Sequence, residues 1–156
     1  MSMFPYNFSL FSFFKAFPDE THAVEYMLQK GILRALGFCE VCQRGMNIQG
    51  NLNKVDGKTL RCTKCKRQIS VRSGTFLENS KITAREFLLF LYHWSNDSSI
   101  EQLHTYTGIS RPVCIDYANF LREIASWKFE NFDTKLGGVG RIVQIDESVI
   151  YRPKYN

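Results

Sequence analysis

A chain of 156 residues, 44% hydrophobic and 22% charged, has the make-up of a folded globular protein and excludes wholesale disorder. Its length holds one ordinary domain or two or three small modules. The formal net charge of +5 favours a polyanionic partner without identifying one.

The first seventeen residues, MSMFPYNFSLFSFFKAF, include six phenylalanines. Pro5, Asn7 and the serines interrupt them, and neither a basic leader nor a small-residue cleavage site is present, so a secretory signal is not expected. No apolar run approaches the roughly 18 residues of a membrane span, and no membrane partner is expected. The aromatic strip is expected to pack on the next helix. That helix spans Asp19 to Lys30: Pro18 and Asp19 suit its start, Ala23, Met27 and Leu28 give an apolar face, and Gly31 suits its stop.

Cys39 to Cys65 is short and turn-dense, with strand-like pieces such as Lys58-Thr59-Leu60-Arg61, and Ile69 to Phe76 reads as one more strand. Within this region, Cys39-Glu40-Val41-Cys42 and Cys62-Thr63-Lys64-Cys65 are separated by nineteen residues. Two residues between cysteines let both thiolates reach one ion, and two such knuckles make a closed tetrahedral site of four thiolates, the donor set of structural zinc. A loop this small cannot bury a core, so the metal would supply folding energy, about 10–16 kcal/mol in zinc-finger peptides. The alternatives, a redox CxxC or unligated core cysteines, must account for two matched pairs. The fifth cysteine, Cys114, stands apart, and an odd set argues against a secreted disulfide framework.

The charge is concentrated. Lys54 to Arg72 carries seven basic residues (Lys54, Lys58, Arg61, Lys64, Lys66, Arg67, Arg72) against Asp56, a local +6 in a chain of +5. Such a patch gives salt-dependent, sequence-independent affinity for phosphates; a solvated face is the other reading.

Three helices follow. Thr83-Ala84-Arg85-Glu86 is a capping box, opening a helix through Phe87, Leu88, Leu91, Tyr92 and Trp94. Ser99-Ile100-Glu101-Gln102 is a second, opening a short helix that ends near Thr107-Gly108. Ser110 can cap the third, with Pro112 in its first turn and Val113, Cys114, Tyr117, Phe120, Leu121 and Ile124 at helical spacing. Short helix, glycine turn and second helix describe a helix-turn-helix, whose second helix would present Arg111, Asn119 and Arg122 to a DNA groove. A plain three-helix bundle remains the other reading. Cys114 is expected in its core. His104 sits where such motifs need a small residue, which widens the crossing or makes it a packed, hydrogen-bonded side chain. His22 and His93 are expected to be packed or solvent-facing rather than ligands. Gly137-Gly138-Val139-Gly140 then breaks the chain before a strand, Arg141 to Ile145, ending at Asp146 and Glu147.

In order, FPDETHAVEYMLQKGI, the two knuckles, RQISVRSGTFLENSKI, FLYHWS, the helix-turn-helix and GGVGRIVQIDES resemble the N-terminal part of Merlin-type DDE transposases over about Phe14 to Asn156. Glu40, Val41 and Gln43 depart from the proline and glycine common around that family's cysteines. The resemblance implies a zinc ribbon and helix-turn-helix that bind double-stranded DNA at transposon terminal inverted repeats. It makes Asp146 the first of three acids that hold two Mg2+ ions in a ribonuclease-H-like domain. The other two acids are missing, so the expectation is a truncated copy, or a gene model that ends early at an exon boundary, which retains DNA binding without catalysis and needs Mg2+ only with the full catalytic domain.

The expected organisation is a small multi-module α+β chain: a Phe-rich leader and helix (1–36), a four-cysteine zinc ribbon (37–76), a helix-turn-helix bundle (77–132), and a linker with the first catalytic strand (133–156). The expected DNA contacts are Lys58, Arg61, Lys64, Lys66, Arg67, Arg72, Arg111, Asn119 and Arg122; the expected metal ligands are Cys39, Cys42, Cys62 and Cys65. A homo-oligomer is left open. The expected location is nuclear in a eukaryote and cytoplasmic otherwise. The rival function is a zinc-ribbon protein-interaction module of the transcription-factor type.

Overall fold

The computed structural model describes residues 8–131 together with Gly140, Ile142 and Gln144. They form a small α+β structure of five helices and a four-stranded antiparallel sheet. The chain divides into two compact units, Met1–Asp116 and Tyr117–Asn156.

The N-terminal helices are built on aromatic burial. Helix α1, Leu10–Ala16, is capped by the Ser9 hydroxyl, which accepts from the Ser12 amide. It brings the phenylalanine strip onto its neighbours: Phe13 lies 5.8 Å from Tyr92 and Phe17 lies 5.1 Å from Tyr26, ring centre to ring centre. Helix α2, Glu20–Gln29, is capped by Asp19 and followed by Gly31 at φ +71°, a conformation that costs glycine little. Helix α3, Ala84–Trp94, opens with the expected capping box between Thr83 and Glu86. Phe13, Ala23, Val24, Met27, Phe87, Leu88 and Phe90 are all buried, each large side chain contributing about 1.5–3 kcal/mol.

A polar contact pins α2 to α3. The Glu20 carboxylate accepts from the amides of Ala84 (2.6 Å) and Arg85 (3.0 Å), while Thr83 Oγ1 accepts from Glu86. The first three amides of α3, which have no partners inside the helix, are thus satisfied from two elements. A carboxylate there also meets the positive end of the helix dipole.

The sheet follows α2. Strands β1 (Gly37–Phe38), β2 (Gly45–Gly50), β3 (Lys58–Cys62) and β4 (Gln68–Ser70) pair in that order, with Phe38 opposite Gly45, Asn47 opposite Arg61, and Arg61 opposite Gln68. The strand expected over Ile69 to Phe76 stops at Ser70. Beyond it Ser73, Thr75 and Glu78 donate to Ser70, Arg72 and Thr75, so the backbone hydrogen bonds go to successive turns rather than to a ladder.

Those turns close over a buried ion pair. Arg72 Nε and Nη2 donate to the two oxygens of Asp56 at 2.7 and 2.6 Å, and Nη1 donates to the Ser80 carbonyl. Both residues are buried. The bidentate fork and the extra carbonyl satisfy the guanidinium on every side, the condition under which a buried pair is tolerated.

Helix α4, Ile100–Thr107, carries the second capping box and ends at Gly108, φ +72°. Helix α5, Arg111–Glu130, starts three residues later with Pro112 in its first turn. Cys114 is fully buried. His104 is exposed, and its Nδ1–H donates across the turn to the Ile109 carbonyl at 2.7 Å, so the hydrogen bond expected for it is present and the packing is not. No helix among the described residues is long and apolar enough to cross a membrane. The strand expected over 141–145 and the Asp146 and Glu147 carboxylates lie outside the described residues, except that Ile142 and Gln144 are exposed and in no regular element.

Candidate metal centre and its basic surroundings

The four cysteines converge. Cys39, Cys42, Cys62 and Cys65 place their sulfurs within 4.8 Å of one another, with Cys39–Cys65 and Cys42–Cys62 each at 3.4 Å. All four are free thiols. Tetrahedral thiolates at about 2.3 Å from zinc stand about 3.8 Å apart, a spacing that the observed range brackets. The donor set and its closure therefore fit a metal ion such as zinc, with no position left for a substrate.

Local backbone builds this convergence twice in the same way. The residues after each pair, Gln43 and Lys66, adopt left-handed φ of +54° and +62°. The Cys39 amide then donates to the Arg44 carbonyl, as the Cys62 amide donates to that of Arg67, both at 2.8 Å. CEVCQR and CTKCKR are thus two copies of one turn. Holding a side-chain-bearing residue at positive φ costs roughly 1–3 kcal/mol, a strain that ligation of a metal would offset.

The electrostatics point the same way. Backbone amides of Cys42 and Val41 lower the Cys39 thiol. At Cys62 burial, which raises the pKa, is outweighed by the Cys65 and Lys64 amides, and the thiol falls to about 6. At Cys65 the Arg67 amide lowers the pKa, but the sulfurs of Cys39 and Cys62 outweigh it and push the thiol up to about 11. Sulfurs this close cannot all be anionic without a cation between them.

The basic residues surround this cluster unevenly. Lys64, Lys66 and Arg67 are exposed on the second turn, with Arg67 3.8 Å from Glu40. Lys58 is half-buried and 3.3 Å from Glu25. Arg61 projects from β3 and donates to Gln49. Arg72 is a correction: its guanidinium is buried against Asp56 and cannot meet a phosphate. The spacing of charges along the chain cannot distinguish a surface arginine from one that a turn folds inward. Arg44, exposed at the place in the first turn that Arg67 holds in the second, lies outside the charge run, and the shared C-x-x-C-[QK]-R pattern is the signal that finds it.

On α5, Arg111 is exposed and ion-paired with Glu101, a pair worth at most about 1 kcal/mol at the surface. Asn119 and Arg122 are exposed and joined by a 2.9 Å hydrogen bond. Comparison with family models, with curated proteins and with solved structures found no match.

Proposed function

We propose that this chain is a zinc-stabilised DNA-binding module, the part of a transposase that recognises double-stranded DNA at transposon ends. Zinc is the ion assigned to Cys39, Cys42, Cys62 and Cys65, which makes Cys39 to Cys65 a zinc ribbon, and α4, Gly108 and α5 act as a helix-turn-helix. The observation that carries the reading is the display of Lys64, Lys66 and Arg67 on the turn that holds two of the sulfurs. A metal that fixes that turn also fixes the cations, so phosphate binding does not require ordering them. Arg111, Asn119 and Arg122 are the proposed groove-facing residues, and Lys58 and Arg61 complete the phosphate contacts.

Titration of a labelled duplex across a salt series tests this. Four or five neutralised phosphates give a log–log slope of about −4; a flat response overturns the proposal. A second reading rests on a different observation. Leu36, Phe38 and Val41, beside the first cysteine pair, are 82%, 70% and 65% exposed, the kind of apolar surface that protein partners cover. Salt-insensitive capture of a protein with no duplex binding favours that reading.

A further inference from the structure

An open groove of about 450 Å³ runs along β2, β3 and the second cysteine turn, with Asn47, Gln49, Arg61, Thr63 and Lys66 among its lining. Alternate strand residues share a face and cross-strand partners face the same way. The register therefore puts Phe38, Gly45, Asn47, Gln49, Arg61 and Gln68 on one side of the sheet.

Three features of that side point to a ligand. Arg61 uses only Nη1, on Gln49 Oε1 at 3.2 Å; its Nε–H is buried without an acceptor among the described residues. A buried orphan donor of this kind is unfavourable until an acceptor arrives, and because Nε lies below the surface, Arg61 must turn its Nε/Nη2 edge outward to fork a phosphate. Phe38 is 70% exposed. Opposite it stands Gly45, where an added Cβ would meet nothing within 4 Å, so no side chain crowds the position across from the phenyl group. The amides of Asn47 and Gln49, which carry both donors and acceptors, lie along the same row.

We infer that this face of the sheet binds single-stranded nucleic acid, with Arg61 forking a phosphate, Lys66 adding charge and Phe38 stacking on an unpaired base. It rests on the reading of the chain as a nucleic-acid-binding module and adds a second mode to it, because a base paired within a duplex cannot offer its face to Phe38. Aromatic platforms beside a basic track are how proteins hold single strands without reading their sequence.

The test measures binding of a labelled oligothymidine of about 12 nucleotides, and of a duplex of equal length, to the full chain. Phe38→Ala removes an exposed ring, so folding is preserved, and single-strand affinity falls about 10-fold with the duplex changed less than about twofold. Arg61→Lys keeps the charge, loses the fork and weakens the single strand about 5-fold. Lys64→Gln, exposed on the second cysteine turn and outside the groove lining, weakens both DNA forms alike. If wild type binds DNA but Phe38→Ala and Arg61→Lys leave the single strand unaffected, the groove inference fails alone. It also fails alone if they weaken both forms equally. If wild type binds neither form, the DNA-binding reading fails and the groove with it.

Discussion

The helices α1–α3 and the sheet β1–β4 are held by different forces. The helices bury Phe13, Phe17, Met27, Phe87, Leu88 and Phe90 together, and their polar contacts, Glu20 and Thr83 at the start of α3, close helix ends. The sheet has Met46 and Leu60 for a core, and beside them Cys39, Cys62, Thr59 and the Asp56–Arg72 pair. Polar and sulfur groups in the second region occupy places that carbon occupies in the first. Apolar burial tolerates approximate partners, whereas a buried charge or a thiolate cluster is stable only when every member is satisfied. The sheet is therefore the region that single changes should break.

The largest contrast is expected for Cys62→Ser. With zinc bound as proposed, losing one sulfur would forfeit much of a metal-binding free energy on the order of 10 kcal/mol. Amide exchange should show protection lost over β2 and β3 and retained in α2 and α3; equal loss in both regions would erase the contrast. Asp56→Ala comes next. It strands the Arg72 guanidinium and should cost about 3–5 kcal/mol in urea unfolding, with a change under about 1 kcal/mol contradicting the buried pair. Thr83→Ala removes one side of the capping box and should cost about 1 kcal/mol, a modest loss because Glu20 still serves two amides of α3.

The smallest effect concerns pH. Burial, opposed by the Arg85 and Ala84 amides, raises the Glu20 carboxyl above its ordinary 4.5. A raised folded pKa means the folded chain binds more protons in that window, so the contribution is fully present below 4.5 and lost as pH rises through the raised value. The stability difference between wild type and Glu20→Gln should therefore shift against wild type as pH rises from 4.5. A difference that does not change with pH contradicts the half-buried carboxylate.

Much of this was legible in the sequence because some patterns are local. The two capping boxes, the Gly31 and Gly108 stops and the paired cysteines each set geometry within a few residues, and the structure has them where the spacing puts them. Helix α1 was not legible as a helix: its phenylalanines read as an aromatic strip, and its cap, Ser9 to Ser12, lacks the acid that marks a capping box. Strand β2, GMNIQG, alternates polar and apolar residues as a strand does, but six residues bounded by glycines inside a turn-dense stretch do not stand out as one; its pairing with β3 fixes it. Arg72 is not legible as a buried residue because its partner, Asp56, is sixteen residues away and only folding brings them together. The groove beneath Arg61 was hidden for the same reason, since Asn47 and Gln49 become neighbours of Arg61 only through strand register.

Native mass spectrometry of the purified chain, with metal analysis before and after chelation, tests the central claim most directly. The account predicts one zinc per chain, and chelation that abolishes amide protection in β2 and β3 together with DNA binding. A chain that carries no bound metal, yet keeps its sheet protected and binds DNA undiminished, would contradict it.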